Sequence, residues 1–222
     1  MDNEIFEKVD DYIAGLLGRE DEVLKNTVRS MEEADVPPMQ VSANQGKFLQ
    51  VLARSVNAKK ILELGTCCGY STIWLARILP ADGKLITLEY EPAYAAIAKQ
   101  NIANAGLENI VEIRTGRALD LLPQIEAGGT APFDMIFIDA DKPPYAGYFE
   151  WALKLSRPGT IIVADNVIRE GKILDENHED EKVQGVQRLN RLLSEKQNIT
   201  ATIIQTVGNK YHDGMAMCVV EE

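Results

Sequence analysis

The sequence predicts an α/β fold: a doubly wound, mostly parallel sheet of seven strands, with a C-terminal antiparallel hairpin strand and N-terminal helices. Three observations carry this. Between residues 60 and 165, five short apolar segments begin 24 to 26 residues apart, the repeat of a strand–helix–strand unit. The stretches between them place apolar residues at helical spacing. After residue 165 the repeat stops, and two further apolar segments follow with only a short turn between them. The arrangement is Rossmann-like.

The chain reads as one domain over residues 1–222, a helical cap over 1–58 and an α/β core over 59–222. The cap suggests two or three helices. Pro37 and Pro38 interrupt it, and Ser42-Ala-Asn-Gln45 is spaced as a capping box ahead of an apolar stripe of Phe48, Leu49, Leu52 and Val56. The core strands are KILEL (60–64), KLITLE (84–89), NIVEIRT (109–115), FDMIFID (133–139) and GTIIVAD (159–165). Helical spacing appears at Ile73, Leu75, Ala76 and Leu79, and at Ala95, Ile97, Ala98, Ile102 and Ala105. Pro92 and Gly106 punctuate the second of these. Tyr148, Phe149 and Trp151 share helical spacing that assigns part of the set to the core. NVIREGKILDENHEDEKV is a long polar connection, and Val183 to Leu193 reads as a helix. ITATIIQTV (199–207) and GMAMCVV (214–220), joined by GNKYHD, leave no room for a crossover and pair antiparallel.

Composition narrows the function. With 45% hydrophobic residues the chain can bury a sizeable core, yet no stretch approaches the length of a membrane span. The N-terminus, MDNEIFEKVDDYI, lacks a basic region before an apolar run, so the expected compartment is the cytoplasm. A net charge of −11 repels polyanions and makes nucleic acid an unfavoured partner. Cys67, Cys68 and Cys218 have neither metal nor disulfide spacing and read as small residues near packed backbone.

Two regions carry chemistry. ELGTCCGYS, Glu63 to Ser71, joins the first strand to the first helix. Gly65 and Gly69 allow a tight turn and close approach of backbone N–H groups to a ligand. Glu89 ends the second strand, where a carboxylate accepts ribose hydroxyls. A dinucleotide site would want a third glycine, and Glu63 would repel a pyrophosphate. An acidic residue here suits a ligand with an ammonium group, such as the methionine part of S-adenosylmethionine. A plain βα turn without ligand is the remaining reading. The second region is DMIFIDADKPPY (134–145), which sets Asp139, Asp141 and Lys142 side by side at a strand end, with Asp165-Asn166 ending the neighbouring one. Burying such charges needs partners, solvent or a chemical role, the simplest alternative being a surface salt bridge.

With ELGTCCGYS, Glu89, IDADK and ADN taken together, the chain resembles the metal-dependent O-methyltransferases of the catechol and caffeoyl-CoA type, from about Val36 to Val220. Phrases such as FEWALKLSRPGT resemble the small bacterial branch. The resemblance implies that Glu63, Gly65, Tyr70 and Ser71 hold the methionine end of S-adenosyl-L-methionine, covered by Val41 from the preceding helix. Glu89 would bind the ribose, and the Gly116-Arg117-Ala118 turn would flank the adenine. Asp139, also counted with the cofactor contacts, would hold a divalent cation together with Asp165 and Asn166. Lys142 would sit beside the acceptor oxygen. Two positions depart from the pattern: Arg117 stands where many relatives have a carboxylate, and Pro144 replaces an asparagine. A homodimer is implied as well.

The carboxyl ends of parallel strands face one crevice, so Asp139 and Asp165 can converge. An oxygen-only donor set suits Mg²⁺, with Ca²⁺ or Mn²⁺ also compatible. The expected reaction is methyl transfer to a hydroxyl of a catechol or phenylpropanoid-like small molecule, with Lys142 as base. Nearby positive charge would favour its neutral form. A tRNA or rRNA O-methyltransferase using the same site is the alternative. A nucleotide-dependent oxidoreductase and a non-catalytic adenosine-binding module come from other classes. Asp141 is compatible with adenosine, acceptor or solvent. His178 belongs to a solvated charge run, and His212 to the hairpin turn, near enough in sequence to line an acceptor pocket.

Overall fold

Seven strands lie in the order β3-β2-β1-β4-β5-β7-β6 in a computed structural model that describes residues 3–222. In chain order the elements are α1 (Asn3–Leu16), α2 (Glu22–Glu33), α3 (Ala43–Ser55), β1 (Lys60–Leu64), α4 (Tyr70–Ala76), β2 (Lys84–Glu89), α5 (Pro92–Asn104) and β3 (Val111–Thr115). They continue with α6 (Ala118–Ala127), β4 (Met135–Ile138), α7 (Tyr145–Lys154), β5 (Ile161–Asp165), a 3₁₀ segment (Arg169–Leu174), α8 (Glu181–Glu195), β6 (Ile199–Thr206) and β7 (Asp213–Val220).

Strands β1 to β5 are parallel, and β7 runs antiparallel between β5 and β6. Alternate side chains of each strand point to opposite faces, so the two periods of the sequence produce two cores. Ile61, Leu85, Met135, Phe137 and Val163 pack beneath α2, α3, α4 and α5 through Leu24, Leu49, Ile73, Ala98 and Ile102. Leu62, Leu64, Ile86, Leu88, Ile136 and Ile162 pack beneath α6, α7 and α8 through Leu122, Phe149 and Leu189.

The capping box forms as spaced: Ser42 accepts from the Gln45 N–H, and the Gln45 side chain accepts from the Ser42 N–H at 2.8 Å. The fully buried line of α3 is Gly46, Leu49 and Ala53, with Phe48, Leu52 and Val56 flanking it half-buried. Pro92 opens α5, and Gly106, at φ +68°, follows its end. Helix α4 is shorter than its apolar spacing suggests: it stops at Ala76, and Leu79 packs from the following turn. The polar connection after β5 is not featureless. It contains the 3₁₀ segment, where Arg169, Glu170 and Gly171 all have positive φ. No helix is long and apolar enough to cross a membrane among the described residues.

Candidate active site

Strand order reverses between β1 and β4, and at that switch point a cleft of about 1090 Å³ opens at the carboxyl ends of the parallel strands. It is at the upper end of single-ligand pockets, with room for a cofactor and a small acceptor together. Its floor depends on Gly65, whose φ is +99°. A Cβ there would fall 1.9 Å from the Asp139 carbonyl oxygen, so only glycine lets the ends of β1 and β4 meet.

On the β2 side, Glu89 is a fixed acceptor. Its Oε2 receives the Cys67 N–H at 2.7 Å and its Oε1 the Glu91 N–H at 2.8 Å, which leaves lone pairs directed into the cleft it lines. Burial lifts its pKa, against the opposing pull of those backbone donors. Gly65, Tyr70, Ser71, Ala118 and Val41 line the same cleft. Val41 does so from the loop before α3 and not from a helix, because Ser42 is the N-cap. The Tyr70 phenol donates to Glu20 Oε1 at 2.7 Å, fixing its ring.

Glu63 lies one layer behind. It is fully buried and does not line the cleft; instead three hydroxyls donate to it, Ser71 at 2.7 Å, Thr87 at 2.7 Å, and Thr72. Burial pushes its pKa up to about 7, in spite of the hydroxyl donors. Its reach toward a ligand therefore runs through Ser71, which donates to Glu63 and lines the cleft.

At the other end, Lys142 is buried and donates to Asp139 Oδ1 at 2.8 Å and to the Tyr145 phenol at 2.5 Å. The phenol donates onward to the Asp165 carbonyl at 3.1 Å. Asp165 is 2% exposed, and its Oδ1 accepts the Asn166 N–H at 2.8 Å. Burial, then the charge of Asp139, pushes its carboxyl up to about 8. Asn166 sits at φ +59° and lines the cleft. Two carboxylates that repel one another, with an adjacent amide oxygen and no sulfur or imidazole, fit a hard divalent cation. Among the described residues no three His, Cys, Asp or Glu side chains form a metal-binding group, so any cation here would need the amide oxygen.

The structure brings Asp139, Lys142 and Asn166 to one end of the cleft, with Asp165 buried beside Asn166 and outside the lining, and sets Glu89, Ser71, Gly65 and Ala118 along it. His178 does not take part; its Nδ1 accepts the Asp180 N–H at 3.1 Å. His212 pairs with Gln205 in the hairpin. Sequence reasoning missed Tyr145, whose signal was its position three residues after Lys142. It also missed Thr72 and Thr87, and Asp213, whose Oδ1 accepts from Ile168, Arg169 and Gly214 N–H and so pins the segment after Asn166.

A sheet in this order, with a carboxylate closing β2 and the first βα turn opening onto the cleft, defines a Rossmann-like methyltransferase. The chain belongs to the O-methyltransferase family, which it matches over residues 16–220. It is 60% identical to the catechol O-methyltransferase of Niastella koreensis over the full length of both chains. It is 44% identical to the catechol O-methyltransferase of Mycobacterium tuberculosis, over 96% of this chain and 94% of that one. Among solved structures, the O-methyltransferase TomG from Streptomyces achromogenes, involved in tomaymycin synthesis and in complex with SAM, superposes with a TM-score of 0.97 at 49% identity over all of both chains. An O-methyltransferase from Bacillus cereus in complex with SAH gives 0.96 at 48% identity, covering 99% of this chain and 100% of the other.

Proposed function

We propose that this chain transfers the methyl group of S-adenosyl-L-methionine to one hydroxyl of a small aromatic acceptor bearing vicinal hydroxyls, with a divalent cation and Lys142 as base. The observation that carries the reading is the meeting of Asp139, Lys142, Tyr145 and Asp165 where β4 and β5 end, with Asp139 and Lys142 lining the same cleft as Glu89 and Ser71. The relatives named for catechol support the acceptor class.

Each residue then has a task. Glu89 accepts the ribose hydroxyls, since its oxygens are already oriented by two backbone N–H groups. Ser71, held by Glu63, and the Gly65 backbone seat the methionine end, with Val41 and Tyr70 closing over it. Ala118, at the start of α6, flanks the base. Asp139, Asp165 and Asn166 would hold the cation, Mg²⁺ by the hardness of its donors. When bound, such an ion polarises a hydroxyl oxygen and stabilises its deprotonated form. Lys142, one residue beyond Asp141 and anchored by Tyr145, receives the proton in its neutral form. Alignment of donor and acceptor can lower the barrier by up to ~7–11 kcal/mol, and a placed base contributes ~10²–10⁴-fold. The net charge of −11 supports a small-molecule acceptor over a polyanion. The exposed apolar residues of α1 support a homodimer.

The test is a panel of vicinal diols and single phenols incubated with methyl-labelled S-adenosylmethionine and Mg²⁺. Diols should be methylated much faster than the same ring with one hydroxyl, which loses a metal ligand and its alignment. Equal rates would remove the diol from the reading.

A further inference from the structure

We infer that Arg169 and Lys182 make the acceptor end of the cleft a reader of a carboxylate carried by the acceptor, so that the preferred substrate is a dihydroxyaromatic acid. This rests on the reading of the site as an O-methyltransferase of vicinal diols and names the acceptor more closely.

The chain is acidic overall, and Lys142, the cation at the proposed reacting end of the cleft, is already paired with Asp139. Arg169 and Lys182 both line the cleft, and among the described residues neither forms an ion pair or donates a side-chain hydrogen bond. The Arg169 Nε is buried without a partner. Arg169 is half-buried and Lys182 exposed; a buried N–H left unpaired is costly, and a ligand anion is a partner that offsets it.

The backbone places both side chains deliberately. Arg169 has φ +54°, a conformation that costs a long side chain on the order of 1 kcal/mol or more. It is held there because its N–H is accepted by Asp213 Oδ1 at 3.0 Å, and the next N–H, of Glu170, by the His212 carbonyl at 3.1 Å. That puts it three residues beyond Asn166, on the acceptor side of the proposed metal ligands. Lys182 approaches from α8. One turn along that helix, a Cβ on Gly185 would lie 2.1 Å from the Lys142 carbonyl oxygen, so α8 is pressed against the Lys142–Pro143 segment and Lys182 projects beside it. Of the carboxylates lining the cleft, Asp139 is paired with Lys142, and Asp141 acts on Tyr148 alongside Arg117 and Lys142. Glu170 is already paired with Lys172 at 3.1 Å. Two free cations thus face the far side of an acceptor whose hydroxyls point to Asp139 and Asp165.

The experiment compares kcat/KM for 3,4-dihydroxybenzoate, its methyl ester and unsubstituted catechol, with saturating S-adenosylmethionine and Mg²⁺. For the natural chain the acid should exceed the ester by about 10- to 100-fold, the range of one or two hydrogen bonds to a charged group. The preference should shrink as salt rises, in contrast to the ester's rate. Arg169→Gln and Lys182→Gln should each cut the acid-to-ester ratio by roughly tenfold or less, and Arg169→Lys should restore part of it. Ester and catechol turned over with no preference for the acid, or a ratio that neither glutamine variant moves, would overturn the carboxylate reader and leave O-methyl transfer standing. Methylation of none of the three would overturn the diol reading, and this inference with it.

Discussion

The Lys142 ammonium donates to the Tyr145 phenol at 2.5 Å, and both side chains are buried. The phenol spends its own proton on the Asp165 carbonyl, so it can only accept from Lys142 and fixes the amine rather than competing with it. Lys142→Met should lower kcat by about 10²–10⁴-fold, with part of the loss returning as pH rises and hydroxide or pre-ionised acceptor replaces the base. Tyr145→Phe should act in the same direction more weakly, on the order of tenfold, because the amine loses its anchor and keeps its chemistry. Cofactor affinity should hardly move in either. Wild-type kcat with an unchanged pH profile in Lys142→Met would make the lysine a structural charge.

Removal of divalent cations should abolish turnover and largely spare S-adenosylmethionine binding, because Asp139 and Asp165 lie at the acceptor end and Glu89 and Ser71 along the cofactor side. Calorimetry on the chelator-treated protein checks the second half, and added Mg²⁺ should restore the first. Full activity in excess EDTA after stripping would exclude the cation.

Glu89→Gln should weaken cofactor binding by about tenfold or more, since a charged acceptor of two ribose hydroxyls becomes a neutral one. The fold should survive, because the remaining amide oxygen still accepts one of the two backbone N–H groups. Unchanged affinity would place the ribose elsewhere.

Glu63 gives stability a pH dependence. Its folded pKa, about 7, lies above the ordinary 4.5, so between these values the folded chain keeps a proton that the unfolded chain has released. The contribution is complete below pH 4.5 and is lost as pH rises through about 7, with a span of up to about 3 kcal/mol. Glu63→Gln mimics the protonated acid. In urea denaturation without cofactor, the stability difference between natural chain and variant should therefore change across this window in the variant's favour. Parallel curves from pH 4 to pH 8 would show that folding leaves the Glu63 carboxyl at its ordinary pKa.

Ile5, Val9, Tyr12 and Leu16 lie on one side of α1 and are exposed. Their spacing of four, three and four residues makes a continuous exposed apolar stripe. Sedimentation should show a species of twice 24.6 kDa, and Tyr12→Glu with Leu16→Glu should convert it to the single chain. A monomer at micromolar concentration in the natural protein would refute this.

The parallel strands were legible because each is a short apolar run at a constant interval, and the hairpin because no helix fits between residues 207 and 214. The segment 169–174 was not, since its conformation is set by Asp213, more than forty positions away, and not by local periodicity. The same holds within the site. Asp139, Asp165, Glu89 and Ser71 announce themselves as polar residues at strand ends and turns. Depth does not: nothing in ELGTCCGYS says that Glu63 is enclosed by Ser71, Thr72 and Thr87, because Thr87 comes from another strand. Tyr145 drew no reading from the sequence, and only the fold shows its hydroxyl on Lys142.

Strand β7 follows β6 in the chain but not in the sheet; it is inserted between β5 and β6. During synthesis, which proceeds from the N-terminus, β5 leaves the ribosome with one edge unpaired, and β6 emerges with no strand to join. Asp213, which pins the loop after Asn166, arrives with β7. The crevice around Glu89 can therefore assemble on the nascent chain, whereas the acceptor end must wait for the eight-residue strand β7 to emerge and dock. A ribosome stalled just before that strand should hold a chain able to bind nucleoside yet unable to arrange its catalytic end.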